Sequence, residues 1–360
     1  MSNSFYAVID KEALKNNIEY LKNFKNKDIL PVIKANAYGH DIFLIAKLLY
    51  DLNVKTWAVA RLSEALGLIE YFKTLSIDDF RVLVFESIDN YKVLNENKNI
   101  YPSINNLEEF KNALANNIET ERMSLKIDLG FARNGISENE IESLKKLAKF
   151  NDWKFFGIFS HLFSVEYENG FNVIKKFTNI VNSLGKNKFS IIHLQNAAGI
   201  YNYDIEIVTH LRTGMLVYGL QEPGYYDTNL KPVLFELTGK VDTVKYANEI
   251  DYVAYETLES VDASTTKIAK IKIGYGDGFP KCNKNTYCLI NKKEYKISQV
   301  TMDNTFIEVD DKVKVGDRVQ LYHRPNELKA KTGCGALELY IALSPLRIKR
   351  VLKGELNTDD

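Results

Sequence analysis

The sequence predicts an α/β protein, with a parallel (β/α)8 barrel at residues 1–230 and a mostly-β domain at residues 231–360. Two patterns favour this division. Short apolar runs alternate with amphipathic helical stretches over the first two thirds of the chain. After residues 231–232 the runs become β-branched and are separated by turn residues. A chain of 360 residues has room for a barrel of about 250 residues and a smaller domain.

The barrel elements follow one another as βα units. Strands are predicted at residues 5–9, 29–33, 56–60, 81–85, 125–127, 155–159 and 191–194. Helices are predicted at residues 11–24, 42–52, 63–72, 107–117, 137–150 and 173–184. The strands of the second domain are predicted at residues 234–244, 267–273, 287–290, 296–302, 305–309 and 318–321. Because parallel strands joined by helices are covered on both faces, the first series favours a closed barrel.

Charge and cysteine content restrict the partners. The chain has 47 basic and 47 acidic residues, so no net charge attracts nucleic acid or an anionic membrane, and we expect a small-molecule partner. The cysteines, Cys282, Cys288 and Cys334, have neither a disulfide-framework pattern nor metal-ligand spacing. The start of the chain lacks a secretion signal, and no apolar run reaches the roughly 18 residues of a membrane span. We therefore expect a cytoplasmic protein without a metal.

Reactive groups of a barrel lie at the carboxyl ends of its strands. Lys34 closes the strand at residues 29–33. Burial lowers the pKa of a lysine, and a neutral amine can act as a nucleophile on an aldehyde. Alternatively, Lys34 only extends its ammonium group from a strand end into solvent.

The residues around Lys34 carry a resemblance that extends over most of the chain. The segment VIKANAYGH at residues 32–40 is similar to the cofactor-lysine motif of the alanine racemase family, which are pyridoxal-phosphate enzymes of fold type III. Further segments follow in the order of that family: KIDLGFARNG at 126–135, FSH at 159–161, HLQNAA at 193–198, RTGMLVYG at 212–219, IGYGDGFP at 273–280 and VTMD at 300–303. The resemblance implies a barrel followed by a β domain, and a homodimer with shared active sites.

The same resemblance implies roles for residues that would hold the cofactor. Lys34 would bind pyridoxal 5'-phosphate covalently and act as acid and base on one face of the substrate. Tyr38 and the backbone of Gly214 and Met215 would bind the phosphate. Arg212 would face the pyridine nitrogen and keep it unprotonated.

Other residues would support the cofactor or bind substrate. His161 and His193 would extend a hydrogen-bonded chain from Arg212. Arg133 would bind the substrate carboxylate, with Lys126 nearby as a carbamylated or a plain salt-bridging lysine. The Met302 amide and Asp303 would approach the substrate from the second subunit, which would supply them from its domain at residues 231–360.

Several positions depart from the family pattern. The tyrosine that serves as the second acid/base in the family aligns with Glu259 or with Ser260. Either Glu259 acts as that base, or Tyr255 reaches the site, or the second face has no base. On the phosphate side, the family's serine is Ala197 and its tyrosine aligns with Glu338 or Leu339. Tyr340, Asn196 or backbone amides would have to compensate for these lost hydroxyls.

The sequence thus predicts an amino acid racemase or epimerase that supplies a D-amino acid for a bacterial-type cell wall, with alanine as the default substrate. Three alternatives remain open: racemisation of a larger or diamino acid substrate, decarboxylation by an enzyme of the same barrel family, and non-catalytic carriage of pyridoxal phosphate. The substrate side chain, the second base and the carbamylation of Lys126 stay undetermined by the sequence.

Overall fold

The parallel barrel is built from strands β2 to β9, and strand β1 (Phe5–Ile9) precedes it. The structure is a computed structural model that describes residues 5–131, 133–147, 150–163, 167–221, 227–257, 265–323 and 325–355. The barrel strands are β2 (Asp28–Pro31), β3 (Thr56–Val59), β4 (Arg81–Val84), β5 (Ile100–Ile104), β6 (Ser124–Lys126), β7 (Phe155–Phe159), β8 (Phe189–His193) and β9 (His210–Thr213). Strands β3 to β8 form one parallel sheet, and β2 pairs with β9.

Backbone hydrogen bonds close the barrel at the two joints between these sheets. At the first joint, Ile33 N donates to Ala58 O at 2.9 Å, next to a parallel bridge between Val32 and Ala58. At the second, Thr209 N donates to Ile192 O at 2.9 Å. The predicted α/β barrel is therefore confirmed.

Helical segments follow the strands of this domain. They are α1 (Lys11–Lys25), α2 (Lys34–Tyr38), α3 (Ile42–Asp51), α4 (Leu62–Thr74), α5 (Tyr91–Glu96), α6 (Leu107–Ala115), α7 (Glu138–Lys145), α8 (Tyr167–Leu184) and α9 (Ala197–Asn202). Helix α1 illustrates how the sequence specifies the start and the buried face of such a helix. Asp10 accepts hydrogen bonds from Glu12 N and Ala13 N, which caps α1, and the helix buries Leu14, Ile18 and Leu21 on one face.

The second domain is an antiparallel β barrel. Its strands are β10 (Leu234–Tyr246), β11 (Tyr252–Val253), β12 (Glu256–Thr257), β13 (Lys267–Ile271), β14 (Tyr287–Ile290), β15 (Lys293–Val300), β16 (Thr305–Val309), β17 (Arg318–Leu321) and β18 (Lys349–Leu352). The sheet order β13-β16-β15-β14-β17-β10 closes on itself, because β10 also pairs with β13. Two short helices, α10 (Leu328–Thr332) and α11 (Ala336–Ala342), precede the last strand. Among the described residues, no helix has the length and apolar character to span a bilayer.

One predicted strand belongs to the other domain. Residues 5–9 were expected among the barrel strands, but β1 pairs antiparallel with β10 and parallel with β18. That prediction was wrong because a short apolar run indicates a buried strand without indicating which sheet receives it. The sequence pattern also missed β5, which contains Pro102, and β9, which precedes Gly214.

Candidate active site

A cavity of about 380 Å³ opens at the carboxyl ends of the barrel strands. Its lining comprises Val32, Lys34, Tyr38, Ala60, Phe85, Glu86, Lys126, Arg133, Asn134, Phe159, Ser160, His161, Asn196, Ala197, Arg212, Thr213, Gly214 and Met215. Two lysines and two arginines line this cavity. Among the described residues, Glu86 is the one carboxylate in the lining, and it accepts a hydrogen bond from Leu62 N at 2.5 Å. The excess of cations favours an anionic ligand.

Lys34 starts a turn with an uncommon backbone conformation. The four residues that follow it in α2, Ala35 to Tyr38, have φ between 53° and 54°, so the turn is left-handed. Such a conformation is strained for residues with a Cβ and persists only where surrounding contacts hold it. One contact is with Glu64, whose carboxylate accepts from Ala35 N at 2.6 Å and from Ala60 N at 2.9 Å.

His40 and the second domain hold the other end of this turn. His40 is fully buried, and its Nδ1 lies 3.0 Å from both Ala37 O and Tyr38 O, so the ring donates to the turn. Arg350, in β18, donates from Nε to Gly39 O at 2.9 Å. Gly39 has φ of 84°, and a Cβ there would lie 2.0 Å from Tyr340 O. The lysine-bearing turn is thus shaped by both domains.

The surroundings of Lys34 disfavour its charged form. Burial lowers the pKa of the Lys34 amine, and the positive charges of Arg133 and Arg212 lower it further. Glu64 acts in the opposite direction with a smaller effect. A larger share of the amine is therefore neutral near physiological pH than for a lysine in water, and a neutral amine is needed both for attack on an aldehyde and for accepting a proton.

Arg212 is fixed by backbone carbonyls at the ends of β7 and β8. Its guanidinium donates to Ser160 O at 3.1 Å, to Leu194 O at 3.1 Å and to Nδ1 of His161 at 3.3 Å. Burial and then the charge of Arg133 lower the pKa of Arg212 to about 10, which still leaves the group protonated at neutral pH. Within the described ranges no carboxylate forms an ion pair with Arg212, so its charge is available to a ligand in the cavity.

The two histidines differ in their relation to Arg212. Burial and the charge of Arg212 lower the pKa of His161 to about 3, so a neutral ring accepts the hydrogen bond from the guanidinium. His193 was predicted to extend this chain. That prediction was wrong in the structure: both ring nitrogens of His193 are buried without a hydrogen-bond partner in the described part of the chain, and the ring stacks on Phe159 at 4.7 Å.

Tyr38, Gly214 and Met215 form the end of the cavity where β2 and β9 meet. Tyr38 crosses Gly214 so closely that a Cβ on the glycine would lie 2.3 Å from the tyrosine Oη. Burial raises the pKa of Tyr38 to about 12, so the hydroxyl stays a donor. Asn196 lines the cavity, but its side chain already donates to Leu162 O and caps α9 by accepting from Gly199 N.

Arg133 and Lys126 lie on the opposite side of the cavity. The Arg133 guanidinium carbon lies 4.7 Å from the ring centroid of Phe131, whose ring lies 5.4 Å from that of His161. Lys126 is buried and donates to Asn134 Oδ1. Burial, followed by the charges of Arg133 and Arg212, lowers the pKa of Lys126 to about 8.

The remaining predicted site residues lie outside this cavity. The Tyr340 side chain was predicted to help bind the cofactor; instead it is fully buried beside His40 and Tyr322, and its hydroxyl finds no partner among the described residues. Met302 and Asp303 are exposed in the second domain, where Asp303 pairs with Arg347 at 2.8 Å. Tyr255 is 91% exposed. Glu259 and Ser260 lie outside the described residues.

Several lining residues received no role in the sequence analysis, although three of them stand within the quoted family segments. They are Phe85, Glu86, Asn134, Ser160 and Thr213. Four of them lie at the carboxyl end of a barrel strand or on the first residues after it, and this position along the chain was the signal available in the sequence. Asn134 lies farther from its strand, next to Arg133, and reaches the site through Lys126.

Comparison with known proteins identifies the family. Residues 9–222 match the model for the alanine racemase N-terminal domain, and residues 234–352 match the model for the alanine racemase C-terminal domain. The chain belongs to the alanine racemase family.

Relatives and solved structures of this family resemble the chain over most of its length. An alanine racemase of Fusobacterium nucleatum is 33% identical over 325 residues, which cover 86% of this chain and 89% of that protein. The alanine racemase structure of Clostridium difficile 630 has a TM-score of 0.83 and 25% identity, covering 98% of this chain and 96% of that one. The Bartonella henselae alanine racemase, solved with covalently bound pyridoxal phosphate, has a TM-score of 0.81 at 22% identity and covers 98% of this chain and 100% of that one.

Proposed function

We propose that this alanine racemase family member is a pyridoxal-phosphate-dependent racemase that interconverts L- and D-amino acids, with alanine as its substrate. One observation carries the proposal: Lys34, with a lowered amine pKa, and the protonated Arg212 face the same cavity of a chain in this family. The D-amino acid would serve a bacterial-type cell wall, and we place the enzyme in the cytoplasm.

The residues present fit the cofactor. Lys34 offers an amine that is neutral more often than an exposed lysine. At the β2–β9 end, the hydroxyl of Tyr38 and the backbone amides of Gly214 and Met215 would hold the phosphate. The cationic lining suits a group that carries negative charge. When bound, pyridoxal phosphate supplies a conjugated electron sink that acidifies the Cα–H of an attached amino acid.

Lys34 and Arg212 would have separate roles: Lys34 in proton transfer at the substrate, and Arg212 at the ring nitrogen of the cofactor. The Lys34 amine would take the proton from Cα and return it, because its lowered pKa brings it closer to the balance between its two forms. Arg212, a fixed cation, would keep the ring nitrogen facing it unprotonated. By doing so, Arg212 would favour return of the proton to carbon over side reactions.

Arg133 and Lys126 would form the substrate carboxylate site. Arg133 supplies the guanidinium for a carboxylate. With a pKa of about 8, Lys126 has a reactive neutral fraction at neutral pH, and we propose that this amine adds to carbon dioxide and releases one proton to give a carbamate. The carbamate would replace one cation among several with an anion that fixes Arg133.

The second face of the substrate would be completed by another copy of the chain. Racemisation requires an acid/base on each face, and Lys34 supplies one. We propose a homodimer in which the domain at residues 231–360 provides Glu259 or Tyr255 as the second acid/base, and Met302 with Asp303 for the substrate. The exposure of Tyr255 and Met302 in the single chain is consistent with this arrangement.

Two measurements test the proposed function. Purified protein loaded with pyridoxal phosphate should show a borohydride-sensitive absorbance, and peptide mapping after reduction should locate the label on Lys34. The Lys34→Ala variant is the control. In deuterated water, L-alanine should exchange its Cα hydrogen and give D-alanine. Label on another lysine would overturn the cofactor assignment, no exchange with any amino acid would overturn racemisation, and gas release without racemisation would indicate a decarboxylase.

A further inference from the structure

Two thiols of the second domain lie close together, away from the cavity. Cys282 lies in the 3-10 turn Lys281–Asn283, and Cys334 follows α10. Their Sγ atoms are 3.7 Å apart, and both side chains are half-buried. Cys288 is separate: it is fully buried in β14, with its Sγ 3.6 Å from Tyr295 O. The three cysteines therefore comprise one close pair, Cys282 and Cys334, and one separate thiol, Cys288.

The segments that carry the pair are already held against each other. A Cβ on Gly278 would lie 1.9 Å from Ala342 O, and Ser344 N donates to Asp277 O at 2.9 Å. Thr332 Oγ1 accepts from Cys334 N at 3.0 Å, which fixes the turn on the other side. A disulfide has an S–S length of about 2.05 Å, so formation of the bond requires the sulfur atoms to approach by roughly 1.7 Å.

We propose that Cys282 and Cys334 are a modification site at which a reversible disulfide ties the loop at residues 274–283 to the segment entering α11. The oxidant is a small disulfide such as glutathione disulfide. One cysteine thiolate attacks it and releases a glutathione thiolate; the second cysteine thiolate then attacks the bound cysteine sulfur and releases the other glutathione. Two cysteine thiols are oxidised to one disulfide, and the reagent is reduced to two thiols that take up the two protons.

The position of this bond suggests a tether rather than a catalytic dithiol. Burial and the neighbouring thiol raise the pKa of Cys282 to about 11, so the sulfur is not an activated nucleophile and oxidation at neutral pH is slow. The tether would act on the lysine turn through α11, because Gly278 of the loop packs on Ala342 O and the backbone of Tyr340, in the same helix, packs on Gly39. It depends on neither the cofactor nor the reaction.

The experiment uses the full chain, treated with glutathione disulfide at about pH 8 and then denatured for thiol counting. The count should fall from three to one, and peptide mapping should show a Cys282–Cys334 bond. Cys288→Ser should fall from two to none, whereas Cys334→Ser should form no intramolecular disulfide. The unfolding midpoint of the oxidised wild-type protein should rise by several degrees, return on addition of dithiothreitol, and stay unchanged in Cys334→Ser.

Other outcomes overturn the proposal. Three free thiols after prolonged oxidation would show that the sulfur atoms cannot approach. A bond that involves Cys288, a bond between two chains on a non-reducing gel, or a persistent glutathione adduct would place the chemistry elsewhere. An oxidised protein with an unchanged or lower midpoint would show that the bond does not act as a tether.

Discussion

Replacement of Gly214 by alanine should displace Tyr38 and weaken cofactor binding. The added Cβ would lie 2.3 Å from both Cζ and Oη of Tyr38, whereas carbon atoms in contact are separated by about 3.5–4 Å. Tyr38 is buried and its ring lies 5.3 Å from that of Tyr218, so it has little room to withdraw. Such overpacking costs about 1–3 kcal/mol of stability.

The effect on binding follows from the hydroxyl that Tyr38 would offer to the phosphate. A hydrogen bond to a charged group is worth about 1.5–3 kcal/mol, and tenfold in affinity corresponds to about 1.4 kcal/mol. Gly214→Ala should therefore bind pyridoxal phosphate roughly 10-fold to 150-fold more weakly. Titration of the cofactor-free protein, followed by absorbance, measures this change. Gly67→Ala in α4 is the matched control, because its Cβ would lie 3.7 Å from the nearest atoms.

A double-mutant cycle shows whether Tyr38 mediates the effect. Tyr38→Phe removes the hydroxyl alone and should also weaken cofactor binding. If Gly214→Ala acts by displacing that hydroxyl, the double variant should bind scarcely more weakly than Gly214→Ala. Additive losses, or normal binding by Gly214→Ala, would refute the reasoning.

Three further predictions concern charge, the lysine turn and the second base. Folding lowers the pKa of the free Lys126 amine from its ordinary value of 10.5 to about 8, so the unfolded chain binds more protons between these values. In buffer freed of carbon dioxide, which keeps Lys126 uncarbamylated, the free energy of unfolding of the cofactor-free protein should rise with pH from about 8 to 10.5, and Lys126→Met should flatten that rise in urea titrations. Arg350→Met removes the Arg350 guanidinium as the donor to Gly39 O, Leu343 O and two further carbonyls. This change should lower the free energy of unfolding by about 2–5 kcal/mol and weaken cofactor binding. The control variant Arg318→Met, on the exposed side of β17, should not weaken cofactor binding. Whichever of Glu259→Gln and Tyr255→Phe removes the second acid/base should slow interconversion of L- and D-alanine at least ~100-fold. Cα exchange should continue for the one enantiomer whose hydrogen faces Lys34, and chiral chromatography with deuterium incorporation, carried out on each enantiomer, separates the two results.

The sequence located most of the cavity because its chemistry follows strand ends. Lys34 comes shortly after β2, Arg212 lies within β9, and His161 follows β7, so the carboxyl-end rule brings them to one edge of a barrel. The family motifs added Arg133 and Tyr38, which line the same cavity. Local sequence was sufficient for these residues because a closed barrel leaves few alternatives for where its strands end.

Tertiary contacts determine what the sequence could not indicate. The left-handed turn after Lys34 contains two alanines, an asparagine and a tyrosine, and such residues by themselves favour other conformations. Tyr340 was predicted at the phosphate because it is near the aligned position, but α11 directs the ring towards His40. The strand at residues 5–9 joins the second domain through pairing partners more than 200 residues away, which a local pattern does not register.

The lysine turn also explains why the two domains act as one unit. The first domain supplies Lys34 and His40, but Gly39 is positioned by Arg350 in β18 and by the backbone of Tyr340 in α11. Strand β1, at the other end of the chain, lies between β10 and β18 and so keeps the last strand beside the barrel. Because a strained turn persists only where its surroundings hold it, the geometry of the Lys34 amine depends on the second domain of the same chain.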